Sequence, residues 1–322
     1  MNITVIICTC NRSQSLAKTL TSLAAQALPQ RADWEVLIVD NNSTDQTRQV
    51  VQEFSERYPG RFRYLLEPRP GKSYALNAGV HAAQGEVLAF TDDDVMAEPQ
   101  WLHSLTSGLL TGEWAGAGGR VAPEWAGPQP RWLPSEGRYP LAPLALFDRG
   151  DKAGELKDNP FGVNMAFRKA MFEKYGGFRT DLGPRADSSA PQKNEDAEFG
   201  RRLLQAGERF RYEPAAVVYH HVPESRLRKE YFLAWWFDKA RSDVHEAGST
   251  DDGLRLAGVP LHLFRRLAGA TLRWIAAVGP SHRFYRKIQV WYLAGEIVES
   301  HRHSLDAKTA KSKAKRECDA QV

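Results

Sequence analysis

The sequence predicts an α/β fold: a mostly parallel sheet flanked by helices, with a helical C-terminal extension. Three observations carry this. Apolar strand-like runs alternate with helix-patterned segments from Ile3 to Phe90, an order that builds parallel sheets through right-handed crossovers. The first strand runs are continuously apolar, as in strands buried on both faces. Polar clusters follow them at once, in "CTCNR", "VDNNSTD" and "TDDDV", and such sheets bind ligands beyond the carboxyl ends of their strands.

The elements follow in order. "ITVIIC" is the first strand, and "SLAKTLTSLAAQ" is a helix with Leu16, Leu20 and Leu23 at helical spacing. "WEVLIVD" is the second strand. It runs into "NNSTDQTRQVVQEF", where Ser43 and Gln46 predict a capping box and Val50, Val51 and Phe54 supply the apolar stripe. "FRYLL", "KSYALNAGVHAAQ" and "EVLAF" read as strand, helix and strand, and Pro99 stands near the start of another helix. From Gly112 to Asp158 the pattern weakens, and "APEWAGPQPRWLPSEGRYPLAP" reads as an irregular loop over the site. Regularity returns in "FGVNMAFRKAMFEKYGGF". In "NEDAEFGRRLLQAG", Phe199, Leu203 and Leu204 form a stripe and Gly207 ends the helix. "AVVYHHV" is a last strand. Residues 231–303 look helical, aromatic and basic. The expected organisation is an α/β domain over residues 1–225, a helical extension over 226–304 and a disordered, lysine-rich tail over 305–322.

With 322 residues, 42% of them apolar, the chain has material for a sizeable core. A net charge of +4 is too small for a dedicated nucleic-acid binder. Cys8, Cys10 and Cys318 give no disulfide framework. Cys8 and Cys10 lie two apart on a strand and lack a second ligand pair, which argues against zinc. The N-terminus has no basic leader region, and no apolar run reaches spanning length. The expectation is a cytoplasmic, reduced protein.

Two phosphate-loop motifs fail on inspection. "PRPGKS" has Leu66 where the first glycine of a Walker loop belongs, and Pro68 and Pro70 remove backbone donors. "GAGGRV" follows no first strand and opens no clear helix, so it is no dinucleotide fingerprint.

Asp92, Asp93 and Asp94 end a buried strand, where adjacent carboxylates are costly without a positive partner. In an extended D-x-D, Asp92 and Asp94 share a face. Hard cations take carboxylate oxygens and share phosphate oxygens with a substrate. Asp92 and Asp94 are therefore the expected ligands of Mg2+ or Mn2+.

"VIICTCNRSQSLAKTLTSL", "VLIVDNNSTD", "GKSYALNAGVHAAQGEVLAFTDDDV", "FGVNMAFRKAMFEKYGGF" and "NEDAEFGRRLLQAG" occur in the order found in family 2 glycosyltransferases with the GT-A fold. The resemblance spans roughly residues 1–225. It implies transfer of a sugar, with inversion, from a nucleotide-sugar to an acceptor hydroxyl, with a UDP-sugar as the expected donor. By position, Thr9, Asn11, Arg12, Asp40, Lys72, Asn77, Asp92 and Asp93 fall among the donor-binding residues. Asn41 stands where the family often has a second aspartate. His220 falls where relatives supply a further metal or diphosphate contact. "NED" aligns with the family's acidic pair, making Asp196 the expected general base and Glu195 its neighbour orienting the acceptor.

The Q-x-x-R-W motif of processive relatives is missing, so addition of single sugars to a glycan or lipid-linked glycan fits better, as in bacterial polysaccharide or glycolipid assembly. The basic, aromatic segment from Leu261 to Val298 predicts peripheral contact with an anionic membrane, with Trp274 and Trp291 at the headgroups. The alternatives are a nucleotidyltransferase of similar plan, whose glycine- and arginine-rich signature is missing after the first strand, and a non-catalytic nucleotide- or glycan-binding relative.

Overall fold

The computed structural model describes residues 2–133, 139–185, 193–248 and 253–319. They fall into two compact units. The first comprises Met1–Pro128, Leu144–Ser189 and Asn194–Pro223; the second comprises Gln129–Pro143, Ala190–Lys193 and Glu224–Val322.

The first unit follows the predicted alternation. β1 (Ile3–Thr9), α1 (Ser13–Ala24), β2 (Trp34–Asp40), α2 (Thr47–Arg57), β3 (Phe62–Leu66), α3 (Lys72–Ala82) and β4 (Val87–Thr91) succeed one another. Every residue of β2 and β4 is buried, which explains their continuous apolar runs. β1 pairs in parallel with β2 and with β4, and β2 in parallel with β3. The order β3-β2-β1-β4 reverses at β1. The carboxyl ends of β1, β2 and β4 therefore open onto one crevice.

The predicted capping box does not form. Ser43 accepts a hydrogen bond from the Asn11 backbone N–H instead (2.9 Å), and Asp45 receives the Thr47 N–H (3.0 Å). Ser43 is drawn away because its loop is stitched to the loop after β1.

Beyond β4 the chain departs from a simple parallel plan. β5 (Val95–Ala97) and α4 (Trp101–Leu110) lead to β6 (Gly116–Trp125), then to β7 (Gly154–Leu156), β8 (Asn164–Arg168), α5 (Ala170–Tyr175), α6 (Glu195–Gln205) and β9 (Phe210–Val222). The sheet continues β4-β8-β6-β9-β5, with β7 also on β9. β8 is antiparallel to both β4 and β6. Part of the segment read as irregular loop is thus the ten-residue strand β6.

Its glycines hid it from propensity, and packing explains them. A Cβ on Gly116 would lie 2.5 Å from the Phe167 ring, and one on Gly118 2.6 Å from Pro160. Gly119 sits where the register between β6 and β9 shifts, jumping from Glu213 to Val217. The irregularity is held by buried Asn164. It donates to the carbonyls of Arg120 and Ala216 (2.8 Å each) and accepts from the Trp101 indole (2.8 Å).

An aromatic cluster locks α6 onto the sheet. Phe199 of α6 stacks on Phe172 (4.4 Å between centroids) and meets Phe167 edge-on at 5.1 Å. Phe178 contacts both Phe199 and Phe90 of β4. Aromatic geometry therefore fixes the start of α6 relative to the end of β4. As predicted, Gly207 follows the end of α6 at positive φ (86°).

In the second unit, α7 (Lys229–Ala247) is followed by a hairpin of β10 (Arg255–Leu256) and β11 (Val259–Pro260), then α8 (Leu261–Ala276) and α9 (Pro280–Asp319). Trp132, from the segment expected to lie over the site, packs in this unit against Phe232 and Phe284. Leu263 of α8 is buried, and Trp274 and Trp291 pack edge-on against each other under Lys287. Both are half-buried. The exposed large apolar residues of α8 are Phe264, Leu272 and Ile275. α9 continues to Asp319 where a disordered tail was expected; the tail's alanines and lysines are strong helix formers with no glycine or proline to stop them. No helix among the described residues is long and apolar enough to cross a membrane.

A Cβ on Gly119 would stand 2.2 Å from the Ala216 carbonyl oxygen and 2.4 Å from Asn164 Nδ2. Gly119→Ala should destabilise the protein by roughly 2–4 kcal/mol, through overpacking and loss of a buried hydrogen bond. Gly154→Ala, with open space around it, should be close to neutral. Urea unfolding midpoints of the two variants check this.

Candidate active site

The positive partners demanded by the three aspartates come from the chain itself. Lys72, the first residue of α3, donates from Nζ to Asp92 Oδ1 at 2.9 Å and stands 3.9 Å from Glu195. Arg12, after β1, donates from one NH1 to both Asp93 Oδ1 and Asp94 Oδ2, each at 2.8 Å. Burial alone would lower Lys72, but Asp92 and Glu195 outweigh it and hold it above its ordinary value. Burial likewise opposes ionisation of Asp92, yet Lys72 prevails and its pKa is lowered. Asp93 goes the other way: burial pushes it up despite Thr9 and Arg12.

The D-x-D segment is held from both sides. Thr9 Oγ donates to Asp93 Oδ2 at 2.6 Å, so these two residues hold each other in place at the end of β1. On the other side, β5 pairs antiparallel with β9, matching Val95 to His220. This brings buried His220 alongside Asp94, with Nε2 3.6 Å from Oδ1. Asp92 instead faces Lys72, in a small cleft it shares with Cys8, Gly162, Glu195 and Asp196. Asp92, Asp94 and His220 do not gather into a triad with ligand atoms within 4.8 Å; among the described residues that spacing occurs only at His245, Glu299 and His303.

The β2 end is organised by its own polar groups. Asp40 is buried; its oxygens accept the Ser43 N–H (2.9 Å) and the Tyr64 hydroxyl (2.8 Å). Asn11, at positive φ (54°), accepts the Thr44 N–H at 2.7 Å and so joins the two loops. Asn41 donates to the carbonyls of Glu67 (2.9 Å) and Arg69 (2.7 Å) and accepts the Gly71 N–H (2.7 Å). An aspartate has no such donors. The departure from the family's pattern at this position is thereby explained: Asn41 anchors the turn that launches Lys72. Asn77, predicted near the diphosphate and ribose, instead clamps the backbone of Phe178 through both its amide atoms (2.8 Å each).

The acidic pair opens α6 after Asn194, which takes the left-handed conformation (φ 81°). Asp196 accepts the Gly162 N–H at Oδ2 and the Ala197 N–H at Oδ1, both at 2.8 Å. A Cβ on Gly162 would lie 2.7 Å from Asp196 Oδ2, so glycine is needed there. That requirement, like the role of Asn41, left no sign in the sequence. Glu195 is 6% exposed. Burial first, and then Asp196, push it up to about 7, with Lys72 opposing.

Asp92, Asp93, Asp94, Glu195 and Asp196 thus converge on Lys72 and Arg12. The surplus of carboxylates, with an imidazole beside Asp94, is a donor set that suits a hard divalent cation. Asp92 or Asp94 alone would satisfy an ion such as Mg2+, which keeps waters and shares substrate phosphate.

Comparison with known proteins agrees with this architecture. The family model for glycosyl transferase family 2 matches residues 4–176, more than half of the chain. The protein belongs to that family and is a glycosyltransferase, which sets the nucleotidyltransferase alternative aside. It is 28% identical over 259 residues to glucosyl-dolichyl phosphate glucuronosyltransferase of Haloferax volcanii, covering 78% of this chain and 80% of the relative. It is 29% identical over 236 residues to succinoglycan biosynthesis protein ExoM of Rhizobium meliloti, covering 73% and 70%. Among solved structures, the mannosyltransferase PcManGT of Pyrobaculum calidifontis, in complex with GDP-Man and Mn2+, superposes with a TM-score of 0.61 at 19% identity, over 92% of this chain and 86% of that one. The fold is GT-A.

Glu195 titrates near 7 in the folded protein against an ordinary 4.5. The native state then binds its proton more tightly than the unfolded chain, so this group favours folding in acid. Its contribution is lost as pH rises from about 4.5 to about 7, and the loss then levels off. Glu195→Gln should therefore gain stability relative to wild type across that interval, on the order of 1–3 kcal/mol. Urea unfolding of both proteins at pH 5 and pH 8 reads the difference.

Proposed function

We propose that the protein transfers a sugar, with inversion, from a nucleotide-diphosphate sugar to a hydroxyl of a glycan or lipid-linked glycan. The observation that carries this is the convergence of the D-x-D segment, Lys72 and the acidic pair on the strand ends. Asp92, Asp94 and His220 are the residues to hold Mg2+ or Mn2+, and such a cation would offset charge on the departing diphosphate. Lys72 supplies a point charge for phosphate. Thr9, Asn11, Arg12, Asp40 and Asp93 frame the nucleotide subsite, with a UDP-sugar as the preferred candidate. The structural relative above carries GDP-Man, and TarS of S. aureus, another GT-A neighbour with a TM-score of 0.50, was solved with UDP. The names of the two sequence relatives, one acting on a dolichyl phosphate sugar and one in succinoglycan biosynthesis, support a lipid-linked or polysaccharide acceptor.

In the chemical step, Asp196 takes the proton of the acceptor hydroxyl. The hydroxyl oxygen bonds to the anomeric carbon while the bond from that carbon to the diphosphate oxygen breaks. The two backbone N–H groups on Asp196 fix its orientation. A second reading has an observation of its own: Glu195, held near 7, has the basicity a general base needs at neutral pH.

Asp94→Asn should weaken metal-dependent donor binding and strongly reduce transfer. Asp196→Asn should spare donor affinity and lower transfer by roughly 10²–10⁴-fold. Donor-hydrolysis and transfer assays over several nucleotide-sugars check both. Unchanged metal dependence in Asp94→Asn refutes the cation assignment. Near-normal transfer in Asp196→Asn moves the base to Glu195, or to Asp187, which lies outside the described residues.

Membrane contact is part of this reading, on a different face from the one predicted. Phe264, Leu272 and Ile275 form an exposed stripe on α8, flanked by exposed Arg265 and Arg273. Such a face suits insertion at the headgroup boundary, each arginine adding about 1 kcal/mol at an anionic surface. The protein should float with anionic liposomes at low salt and partly detach at high salt. Leu272→Ser with Ile275→Ser should abolish flotation while leaving donor hydrolysis intact. Failure of the wild type to float at any salt concentration ends the membrane reading.

A further inference from the structure

α7 and α9 run side by side in parallel, and successive turns match. A Cβ on Gly295 would lie 2.3 Å from the Phe237 carbonyl oxygen, so glycine lets the helices approach. One turn on, Arg241 donates from Nε to Glu299 Oε2 at 2.8 Å. A further turn brings the rings of His245 and His303 to 5.6 Å, centroid to centroid.

We propose that His245, Glu299 and His303 form a binding site for a first-row transition ion, with Zn2+ as its representative, pinning α7 to α9. The ligand atoms of these three side chains all lie within 4.8 Å of one another. His303 Nε2 is 3.6 Å from Glu299 Oε1. Donor atoms about 2.0–2.2 Å from a tetrahedral ion sit roughly 3.3–3.6 Å apart, so side-chain shifts of about 1 Å complete the set. Two imidazoles and one carboxylate suit zinc and its neighbours rather than Mg2+.

The surroundings fit an oriented ligand. Glu299 is buried. Arg241 engages its Oε2, while Oε1 lies on the side of His303. Fixing of a ligating carboxylate by an outer partner is usual at metal sites. Arg302 approaches Oε1 to 4.0 Å from an exposed position and would swing into solvent. His303 also lines a cavity of about 320 Å3 with Asp243, His262 and Ser300, with room for water as the remaining ligand. This chemistry differs from the carboxylate-rich cleft of the first unit, and the site does not depend on the donor assigned above.

The test uses the tag-free full-length protein, stripped with chelator and titrated with Zn2+ against a competing chelator, with thermal melting alongside. The wild type should bind one Zn2+ equivalent more than His245→Ala/His303→Ala, and Zn2+ should raise its Tm but not that of the double variant. Co2+ in its place should give a tetrahedral visible spectrum that the double variant lacks. Should the double variant fail to fold, His303→Gln keeps a neutral polar side chain and should weaken Zn2+ binding by at least the roughly 100-fold that an outer partner can supply. Equal Zn2+ equivalents and equal Co2+ spectra in the wild type and a folded variant overturn the site, as does a wild type whose Tm does not respond to Zn2+.

Discussion

Gathering carboxylates at the ends of buried strands is costly unless cations reach them, and much of the first unit is arranged around that constraint. Lys72 arrives from the start of α3 and Arg12 from the loop after β1. Each bridges two acidic side chains, Lys72 between Asp92 and Glu195 and Arg12 between Asp93 and Asp94. Their positions depend on groups with no charge. Asn41 fixes the turn before Lys72 through three backbone partners. Asn11 ties the loop bearing Arg12 to the loop after β2. Removing one carboxylate would leave a cation under-paired, and removing one cation would leave two acids in repulsion, so these residues act as a unit.

The scaffold converts sequence distance into proximity. The parallel order around β1 brings Thr9, Asp40 and the D-x-D segment to one edge. The antiparallel strands then import the distant groups. β9 carries His220 to Asp94, and β8 leads to α5 and the Phe172–Phe199 stack that sets the start of α6. Glu195 lies one helical turn before Phe199, so the contact that stabilises α6 also aims the acidic pair. Packing and chemistry share one helix face.

What was legible in the sequence follows from range. Strand and helix periodicity over residues 3–91 is a local property, and the boundaries of β3 and the starts of α3 and α6 were readable to within a residue or so. The carboxylate clusters were visible because charge interrupting an apolar run is rare. β6 was not, because its glycines answer to Phe167, Pro160 and Asn164, residues far along the chain. The capping box failed for the same reason: Ser43 had a better partner in another loop. Asn77 was assigned to the ligand by family position, yet its amide serves Phe178. The edge-on contact of Trp274 with Trp291, on the next helix, was likewise out of reach of local pattern.

The site's own cations already compensate its acids, and that shapes how it would respond under the function proposed here. A diphosphate entering the crevice offers Lys72 a stronger anion than Asp92. As Lys72 turns toward it, Asp92 loses the partner that keeps its pKa low. Glu195 loses the charge that opposes its upward shift. Both acids would then hold protons more tightly unless another cation took the place of Lys72. Binding of a nucleotide diphosphate alone should therefore take up protons at neutral pH, and binding together with a divalent cation should take up fewer. The coupling arises from one lysine serving two acids, so the electrostatics that hold the acidic cluster together also link donor, metal and proton once a donor binds.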